Sequence, residues 1–270
     1  MKYQVEAPVI AHERLAEFEY EITLLAPQVA LEARAGQFMQ VRYDDTYNPF
    51  TRRPFSVYRI DRDKGTFSIL YLARGVFTQG MRAKRVGDTM SVVGPLGNCF
   101  APDPRPDVLH LLVAGGVGAP PIYLLAHQMF CAEGDRCEVS VINGARTVNL
   151  LCAAREFEEL GVDTHVTTDD GTRGIRGLVT DALIPLLNDA KGPVHVYTCG
   201  PTAMLRAVGD ICVPRGIPCQ VSVETMMPCG LGVCMGCVVK IKDSASSTGF
   251  VNLRSCYEGP VFRADQIIWD

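Results

Sequence analysis

The sequence predicts a mixed architecture, an antiparallel β-barrel and an α/β domain with a doubly wound parallel sheet, followed by a small cysteine-rich domain. Three observations lead to it: short alternating apolar runs, then a regular alternation of strand-like and helix-like segments, then a cluster of cysteines near the C-terminus. The predicted domain boundaries are 1–102 for the barrel, 103–223 for the α/β domain and 224–270 for the cysteine-rich domain.

In the first segment, apolar and polar residues alternate in short runs that turn residues separate, as in DRDKG at 61–65. A period of two is typical of strands with one buried face, so about six antiparallel strands are expected to form a small barrel. One helix is expected here, TQGMRAKRV, with Thr78 as its N-cap. The six runs are QVEAPVI, FEYEITLLA, GQFMQVRY, PFSVYRI, GTFSILYLA and DTMSVVGPL.

The pattern changes after APDPRP at 101–106, whose three prolines mark a domain boundary. The next run, VLHLLVAGG, is apolar without alternation, which is typical of a strand buried on both faces. Strand-like and helix-like segments then take turns as far as Glu224. This alternation predicts a parallel sheet with helices on both faces.

The composition is that of a globular protein. Of 270 residues, 47% are hydrophobic and 21% are charged, and the net charge of -4 provides no basic face for nucleic acid. The chain has no apolar run of about 18 residues, and its N-terminus lacks a signal-peptide pattern, so a cytoplasmic protein with no membrane association is expected. Eleven cysteines spread through buried-looking segments argue against a secreted disulfide framework.

The tail PCGLGVCMGCVVK contains cysteines in the spacing C-x4-C-x2-C, and a fourth cysteine follows after eighteen residues. This is the plant-type spacing of a [2Fe-2S] cluster, which requires four converging thiolates. Glycines at 230, 232 and 236 tolerate positive φ and allow the backbone to wrap around such a cluster. The predicted ligands are Cys229, Cys234, Cys237 and Cys256.

Two alternatives remain for these cysteines: a structural zinc site, which more often shows two C-x2-C pairs, and a set of free thiols. Six further cysteines have no ligand spacing and are predicted to be small buried hydrophobic residues. They are Cys99, Cys131, Cys137, Cys152, Cys212 and Cys219.

Two glycine-containing turns predict a nucleotide site at the carboxyl edge of the parallel sheet. VAGGVGAPP joins a buried strand to an amphipathic helix, where a pyrophosphate can bind backbone amides, and TCGPTAML follows a later strand at the same edge. The match to G-x-G-x-x-G is imperfect, and ordinary tight turns look similar. The candidate residues are Gly115, Gly116, Gly118, Cys199, Gly200 and Pro201.

In the barrel, TRRPFSVYR places Arg53 and Ser56 on one strand, where a regular strand would point them to opposite sides. Pro54 implies a local distortion of that strand. A guanidinium suits a pyrophosphate and a hydroxyl suits a ring nitrogen, although arginines exposed at a strand edge would show the same residue types.

Together these motifs resemble the ferredoxin reductase superfamily and, more narrowly, the electron transfer subunits of NAD-dependent (type B) dihydroorotate dehydrogenases. The resemblance covers nearly the whole chain, and the segment from Cys256 through EGPVF distinguishes it from other reductases. Its most specific parts are RRPFSV, VGPLGNCF, VAGGVGAPP, DDGTRGIRGLVT, TCGPTAML and PCGLGVCMGCVVK with RSCYEGPVF.

The resemblance implies an FAD-binding barrel, an NAD-binding domain and a [2Fe-2S] domain. NAD would bind at the two glycine turns, with Cys199 near the reacting rings as the catalytic residue. The chain departs from its relatives in having Gly75-Val76-Phe77-Thr78 before the barrel helix and a longer loop, KDSASSTG, between the last two cysteines. The implied FAD-binding residues are Arg53, Pro54, Phe55, Ser56, Leu70, Tyr71, Leu72, Phe77 and Thr78.

By the same resemblance, the partner would be an FMN-containing catalytic subunit, in a heterotetramer with two copies of each subunit, and electrons from dihydroorotate would reach NAD in pyrimidine biosynthesis. Alternatives are a flavin and iron-sulfur subunit of a sulfide dehydrogenase, a hydrogenase or a ferredoxin:NADP reductase, and a redox sensor or zinc-stapled binding module. The residues do not decide between NAD and NADP. An acidic residue after the second strand of the α/β domain would favour NAD, but Arg146 is found there instead.

Overall fold

The computed structural model describes residues 1–44, 49–133 and 138–269. The first part of the chain forms a seven-stranded antiparallel sheet with the strand order β4-β3-β7-β1-β2-β6-β5, which curves into a half-barrel. The predicted barrel is therefore confirmed, with one strand more than expected because PFSVYRI divides into two strands around buried Val57 and Tyr58. Its elements are β1 (Tyr3–Arg14), β2 (Glu19–Leu25), α1 (Pro27–Glu32), β3 (Phe38–Arg42), β4 (Arg53–Ser56), β5 (Arg59–Asp61), β6 (Thr66–Leu72), α2 (Val76–Arg82) and β7 (Thr89–Leu96).

Two expectations for the barrel helices were wrong. The helix α1 was missed because its six residues are too few to display a helical period. The helix α2 begins at Val76, with Gly75 rather than Thr78 as its N-cap. The Thr78 hydroxyl instead accepts a hydrogen bond from the Gly75 N–H at 3.0 Å, so it caps the helix from inside the first turn.

The second part of the chain forms the predicted parallel sheet, with the strand order β11-β10-β9-β8-β12-β13-β16. In β8, residues 111–114 are completely buried, as expected for a strand covered on both faces. The helices α3 and α4 pack on the face toward the barrel, and α5 and α6 pack on the other. The elements are β8 (Leu109–Gly115), α3 (Ala119–Glu133), β9 (Glu138–Ala145), α4 (Ala154–Leu160), β10 (Asp163–Thr168), β11 (Ile175–Arg176), α5 (Val179–Asp189), β12 (Val194–Cys199), α6 (Thr202–Cys212), β13 (Cys219–Ser222), β14 (Val238–Lys242), β15 (Phe250–Arg254) and β16 (Val261–Arg263).

The cysteine-rich tail packs against both preceding parts of the chain. Its hairpin, β14 and β15, is a separate two-stranded sheet, whereas β16 pairs antiparallel with β13 at the edge of the parallel sheet. The side chain of Asn98, which follows β7, donates to the carbonyl oxygens of Glu258 and Val261 and accepts from the Val261 N–H. These contacts fix the tail relative to the barrel. Among the described residues, no helix combines the length and apolar character that crossing a bilayer requires.

The additional cysteines only partly match their predicted burial. Cys152, Cys212 and Cys219 are buried, but Cys99 is half-buried and lines a surface cavity with Arg34 and Gln128. The side chain of Cys131 and the whole of Cys137 lie outside the described residues.

Barrel and α/β domain also meet at a buried carboxyl group. Glu19, at the start of β2, accepts a hydrogen bond from the Ala153 N–H at 3.1 Å across the domain contact. Burial raises the pKa of Glu19 from 4.5 to about 7, and this hydrogen bond only partly opposes the effect. The ionised form is therefore disfavoured in the folded protein.

We expect Glu19→Gln to stabilise the protein at high pH. Since the folded-state pKa of Glu19 is raised, the free energy of unfolding falls as pH rises from 4.5 through about 7. Ionisation of the buried carboxyl group costs about 3 kcal/mol of unfolding free energy at pH 8 and about half of that at pH 5.5. The substitution would remove this cost. Differential scanning calorimetry at both pH values measures the effect. The exposed Glu17→Gln is the control, and an equal gain from Glu19→Gln at both pH values would contradict the prediction.

The turn Gly116–Gly118 brings α3 against the end of β12. A Cβ atom on Gly118 would lie 2.2 Å from the Cys199 carbonyl oxygen and 2.6 Å from the Gly200 nitrogen, both of which are backbone atoms. A side chain at this position therefore requires the two segments to separate.

Gly118→Ala is expected to lower the melting temperature, by a destabilisation on the order of 1–3 kcal/mol, because it overpacks backbone against backbone. Gly209→Ala is the matched control. It lies within α6, where the nearest atom to the new Cβ would be 3.5 Å away, and alanine is a better helix former than glycine. Thermal unfolding of both variants tests this, and equal tolerance of the two substitutions would show that the approach at Gly118 is not tight.

Candidate functional site

A cavity of about 280 Å³ lies where the barrel, the parallel sheet and the tail meet, and we call it the inner cavity. Seven of the nine predicted FAD-binding residues line it, although they come from β4, β6 and α2. Three predicted NAD-binding residues also reach it. These lining residues are Pro54, Phe55, Ser56, Leu70, Tyr71, Leu72 and Thr78, with Gly118, Cys199 and Gly200.

Within the described chain, Arg53 and Phe77 lie beside the inner cavity rather than in its lining. The Arg53 guanidinium donates to the Thr51 carbonyl oxygen at 2.8 Å and lies 5.6 Å from the centre of the Phe77 ring. Phe77 is buried and packs against Phe55, with 5.8 Å between ring centres. A role for Phe77 toward a bound group is thus restricted to its backbone.

The expected distortion at Pro54 was wrong. The pairing of β4 with β3 is continuous, with Arg53 opposite Val41 and Ser56 opposite Phe38. The irregularity lies instead between β3 and β7. Arg53 and Ser56 therefore point to opposite sides of a regular strand.

A second cavity of about 550 Å³, the outer cavity, lies along the carboxyl edge of the parallel sheet. Gly115, Gly116 and Pro201 line it, and it adjoins the inner cavity because Leu72 and Val117 line both. The six residues predicted for NAD are thus divided between these two adjoining cavities.

The outer cavity also contains charged side chains that suit a dinucleotide. Arg74 and Arg146 supply guanidinium groups, which suit the phosphates of a dinucleotide, in the lining. Asp169 lines the same cavity, directly after β10. The sequence reasoning missed this carboxylate because it considered only the residues after β9; the run TTDDG after the neighbouring strand was the available signal.

Cys199 lies at the end of β12 with 9% of its surface exposed. Burial raises the pKa of its thiol to about 12, although a hydrogen bond with Ser222 partly opposes this. The thiol is therefore uncharged at neutral pH. It can pack against a bound ring, but it is not a thiolate nucleophile.

Residues after β13 also line the inner cavity, and the sequence reasoning missed them. They include Glu224, Thr225 and Met227. The Thr225 hydroxyl oxygen is buried and forms no hydrogen bond with the described part of the chain. A buried hydroxyl without a partner fits a polar ring edge of a bound flavin. The position of VETMMP at the carboxyl end of a strand was the signal that could have identified them.

The four tail cysteines form two pairs. The Sγ atoms of Cys237 and Cys256 are 3.3 Å apart, and the thiols of Cys229 and Cys234 are also within hydrogen-bonding contact. Across residues 1–44, 49–133 and 138–269, no group of three or more His, Cys, Asp or Glu side chains is placed to hold one metal ion. Two pairs rather than one tetrahedral set fit a dinuclear cluster better than a zinc ion.

Residues 229–237 form what we call the cysteine loop, and its backbone amides point at these sulfur atoms. The N–H groups of Leu231, Gly232 and Gly236 donate to the Sγ atoms of three of the cysteines, at 3.2–3.5 Å. Gly232 adopts a φ of +80°, as the wrapping of the loop requires. Burial opposes ionisation of Cys229, but the backbone amides of Leu231, Val233 and Cys234, together with the Cys234 thiol, outweigh it and lower the pKa of Cys229 to about 6. The loop is thus built to stabilise negative charge on sulfur.

A cluster of buried side chains connects the cysteines to the inner cavity. Phe38 and Met227 line the cavity and pack in the same apolar cluster as Cys237 and Cys256. Gln40 of β3 reinforces this contact, since its fully buried side-chain amide donates to the Met227 carbonyl oxygen at 2.7 Å. No local pattern in the sequence indicated Gln40.

Three family models match successive parts of the chain. Residues 8–100 match the oxidoreductase FAD-binding domain, and residues 112–210 match the oxidoreductase NAD-binding domain. Residues 224–268 match the iron-sulfur cluster binding domain of dihydroorotate dehydrogenase B. The chain therefore contains FAD-binding, NAD-binding and iron-sulfur domains, as predicted.

Among solved structures, an NADH-dependent reduced ferredoxin-NADP oxidoreductase, described for its flavin-based electron bifurcation, is similar with a TM-score of 0.81 at 29% identity. The match covers 98% of this chain and 90% of that one. The ferredoxin reductase of carbazole 1,9a-dioxygenase shares the fold with a TM-score of 0.67 at 20% identity, over 80% and 67% of the two chains.

Two curated relatives are similar over nearly their full length. The dihydroorotate dehydrogenase B (NAD(+)) electron transfer subunit of Desulforamulus reducens is 32% identical, with 98% of both chains covered. The subunit of the same name from Geobacillus kaustophilus is 38% identical, covering 97% of this chain and 98% of the relative. The chain belongs to the family of electron transfer subunits of dihydroorotate dehydrogenase B (NAD(+)).

Proposed function

We propose that this chain is the electron transfer subunit of a cytoplasmic NAD-dependent dihydroorotate dehydrogenase in pyrimidine biosynthesis. It would pass electrons from an FMN-containing catalytic subunit, through a [2Fe-2S] cluster and FAD, to NAD. The observation that carries the proposal is that Phe38 and Met227 line the inner cavity, which adjoins the outer cavity, and belong to the same buried cluster as Cys237 and Cys256.

The groups that the chain would bind supply the redox chemistry: NAD accepts hydride, an iron-sulfur cluster exchanges single electrons and a flavin does both. The protein supplies binding and orientation. Ser56 and Thr225 offer hydroxyl groups to a flavin in the inner cavity, and Arg74 and Arg146 offer charge to NAD in the outer one. The four tail cysteines hold the cluster.

The lining of the inner cavity fits electron transfer rather than acid–base catalysis. Glu224 is the one charged side chain among the described residues that line it, and Cys199 carries a neutral thiol. In this proposal Cys199 positions the nicotinamide by packing, together with the backbone of Gly118 and Gly200, and no side chain needs to transfer a proton.

The exposed surface around the cysteines suits a protein partner. Val233 and Met235 flank the exposed Cys234 in the chain and expose 80% and 51% of their surface, and Met226, three residues before Cys229, exposes 82%. Exposed apolar residues in one patch are typical of a protein interface. We propose that this patch binds the catalytic subunit, in a heterotetramer with two copies of each subunit.

The similarity to the NADH-dependent ferredoxin-NADP oxidoreductase favours a second candidate. In it the chain would bind the same cofactors but serve a different partner and would not couple to dihydroorotate.

Anaerobic titration of the natively purified complex with dihydroorotate distinguishes these two functions. We expect the flavin and cluster absorbance to bleach together and to return when NAD is added. Bleaching by NADH but not by dihydroorotate would reject the dihydroorotate function and support the second candidate.

Cys234→Ser is expected to abolish dihydroorotate-dependent NAD reduction while FAD stays bound, because one of the two thiol pairs is lost. Flavin content, iron content and the reduction rate are measured on the purified complex. Cys99→Ser, a half-buried cysteine outside the tail, is the control and should retain full coupling. Coupling that persists in the Cys234 variant would exclude the cluster from the electron path.

Cys199→Ala is expected to slow flavin reduction by NADH about tenfold, since the nicotinamide would lose the packing contact that orients it. Flavin content and the cluster spectrum should not change. Stopped-flow absorbance measures the rate, with Cys99→Ala as control. An unchanged rate would show that Cys199 has no positioning role.

A further inference from the structure

An arginine at the end of β15 binds the backbone of the cysteine loop. Arg254 Nη1 donates to the Gly232 carbonyl oxygen at 2.7 Å, and the Gly232 N–H donates to Cys256 Sγ at 3.2 Å. Arg254 therefore contacts the residue that in turn contacts a predicted ligand. Tyr257 packs on the same guanidinium, with 4.7 Å from Cζ to the ring centre.

The same guanidinium forms an ion pair with Glu258. Arg254 Nε donates to Glu258 Oε2 at 3.1 Å, Nη2 donates to Oε1, and the Arg254 backbone N–H also donates to Oε2 at 2.7 Å. The two side chains retain 28% and 27% of their exposure, so water only partly screens them. This half-buried pair carries one charge of each sign, on residues two positions before and two positions after the fully buried Cys256 in the chain.

We propose that Arg254 and Glu258 are positioning residues of the cysteine loop that set the reduction potential of the cluster in opposite directions. The proposal deepens the proposed function and rests on it.

The signs follow from Coulomb's law. One-electron reduction adds a negative charge to the cluster and its four thiolates, and a nearby cation favours that state whereas a nearby anion disfavours it. Removing the guanidinium takes away the cation and leaves the Glu258 carboxylate without its counter-ion, which disfavours reduction. Removing the carboxylate charge leaves the guanidinium unpaired, with the opposite effect.

The test is an anaerobic redox titration of the cluster in the purified complex, followed by electron paramagnetic resonance. For Arg254→Gln we expect the ratio of reduced to oxidised cluster at a fixed potential to fall about tenfold, which is about 59 mV for one electron. Glu258→Gln should shift the ratio in the opposite direction. Arg254→Lys keeps the charge and should remain near the wild-type potential.

Arg263→Gln is the matched control. Arg263 forms a two-bond ion pair with Asp265 in the same tail, at 3.0 and 2.7 Å, on β16 rather than beside the cysteine loop. Its substitution should leave the cluster potential unchanged. If Arg254 and Glu258 only stabilised the fold, both glutamine variants would lose cluster without opposite shifts of potential, and that result would overturn the proposal.

The outcomes also separate this proposal from the proposed function. A wild-type complex without a reducible iron-sulfur signal would refute the function itself. A wild-type complex with that signal, combined with equal potentials in all variants, would refute only the roles of Arg254 and Glu258. If Arg254→Gln does not assemble a cluster, the rise in reduction potential expected for Glu258→Gln still tests the proposal.

Discussion

The structure depends on the contact between the cysteine-rich tail and the barrel. Electron transfer weakens steeply with distance, so a relay requires its redox centres to lie close together. Phe38 and Met227 meet that requirement, because they pack against Cys237 and Cys256 on one side and line the inner cavity on the other. The buried amide of Gln40 fixes the approach by binding the backbone at Met227.

The tail keeps this contact because it is attached to both preceding domains. Its strand β16 extends the parallel sheet, and Asn98 binds its backbone from the barrel side through three hydrogen bonds. These attachments fix the chain that follows the cysteine loop, and Gln40 binds Met227 just before the loop, so the exposed apolar side chains can meet a partner while Cys237 stays buried. A tail that moved independently would not maintain a fixed distance for electron transfer.

Charge is distributed differently over the three parts of the site. Apart from Glu224, the inner cavity has a neutral thiol and hydroxyl groups. The outer cavity has Arg74 and Arg146 together with Asp169, and the cysteine loop directs backbone amides at sulfur. This distribution matches what each part would bind: a flavin ring, a pyrophosphate and a cluster with anionic thiolates. The ion pair of Arg254 and Glu258 adds formal charges that are linked to Cys256 through Gly232, and in our proposal its two members act on the cluster with opposite signs.

The sequence by itself determined the fold class and the chemical identity of the site. Strand periodicity, the glycine turns and the spacing of the four cysteines are local patterns, because backbone geometry and ligand type constrain neighbouring residues. Only the tertiary structure decided how the cysteines pair, that Gln40 binds the residue before Pro228, and that Thr225 and Asp169 line the cavities. Such contacts join residues as far apart as β3 and the tail, and no local preference encodes them; they follow from how the domains pack.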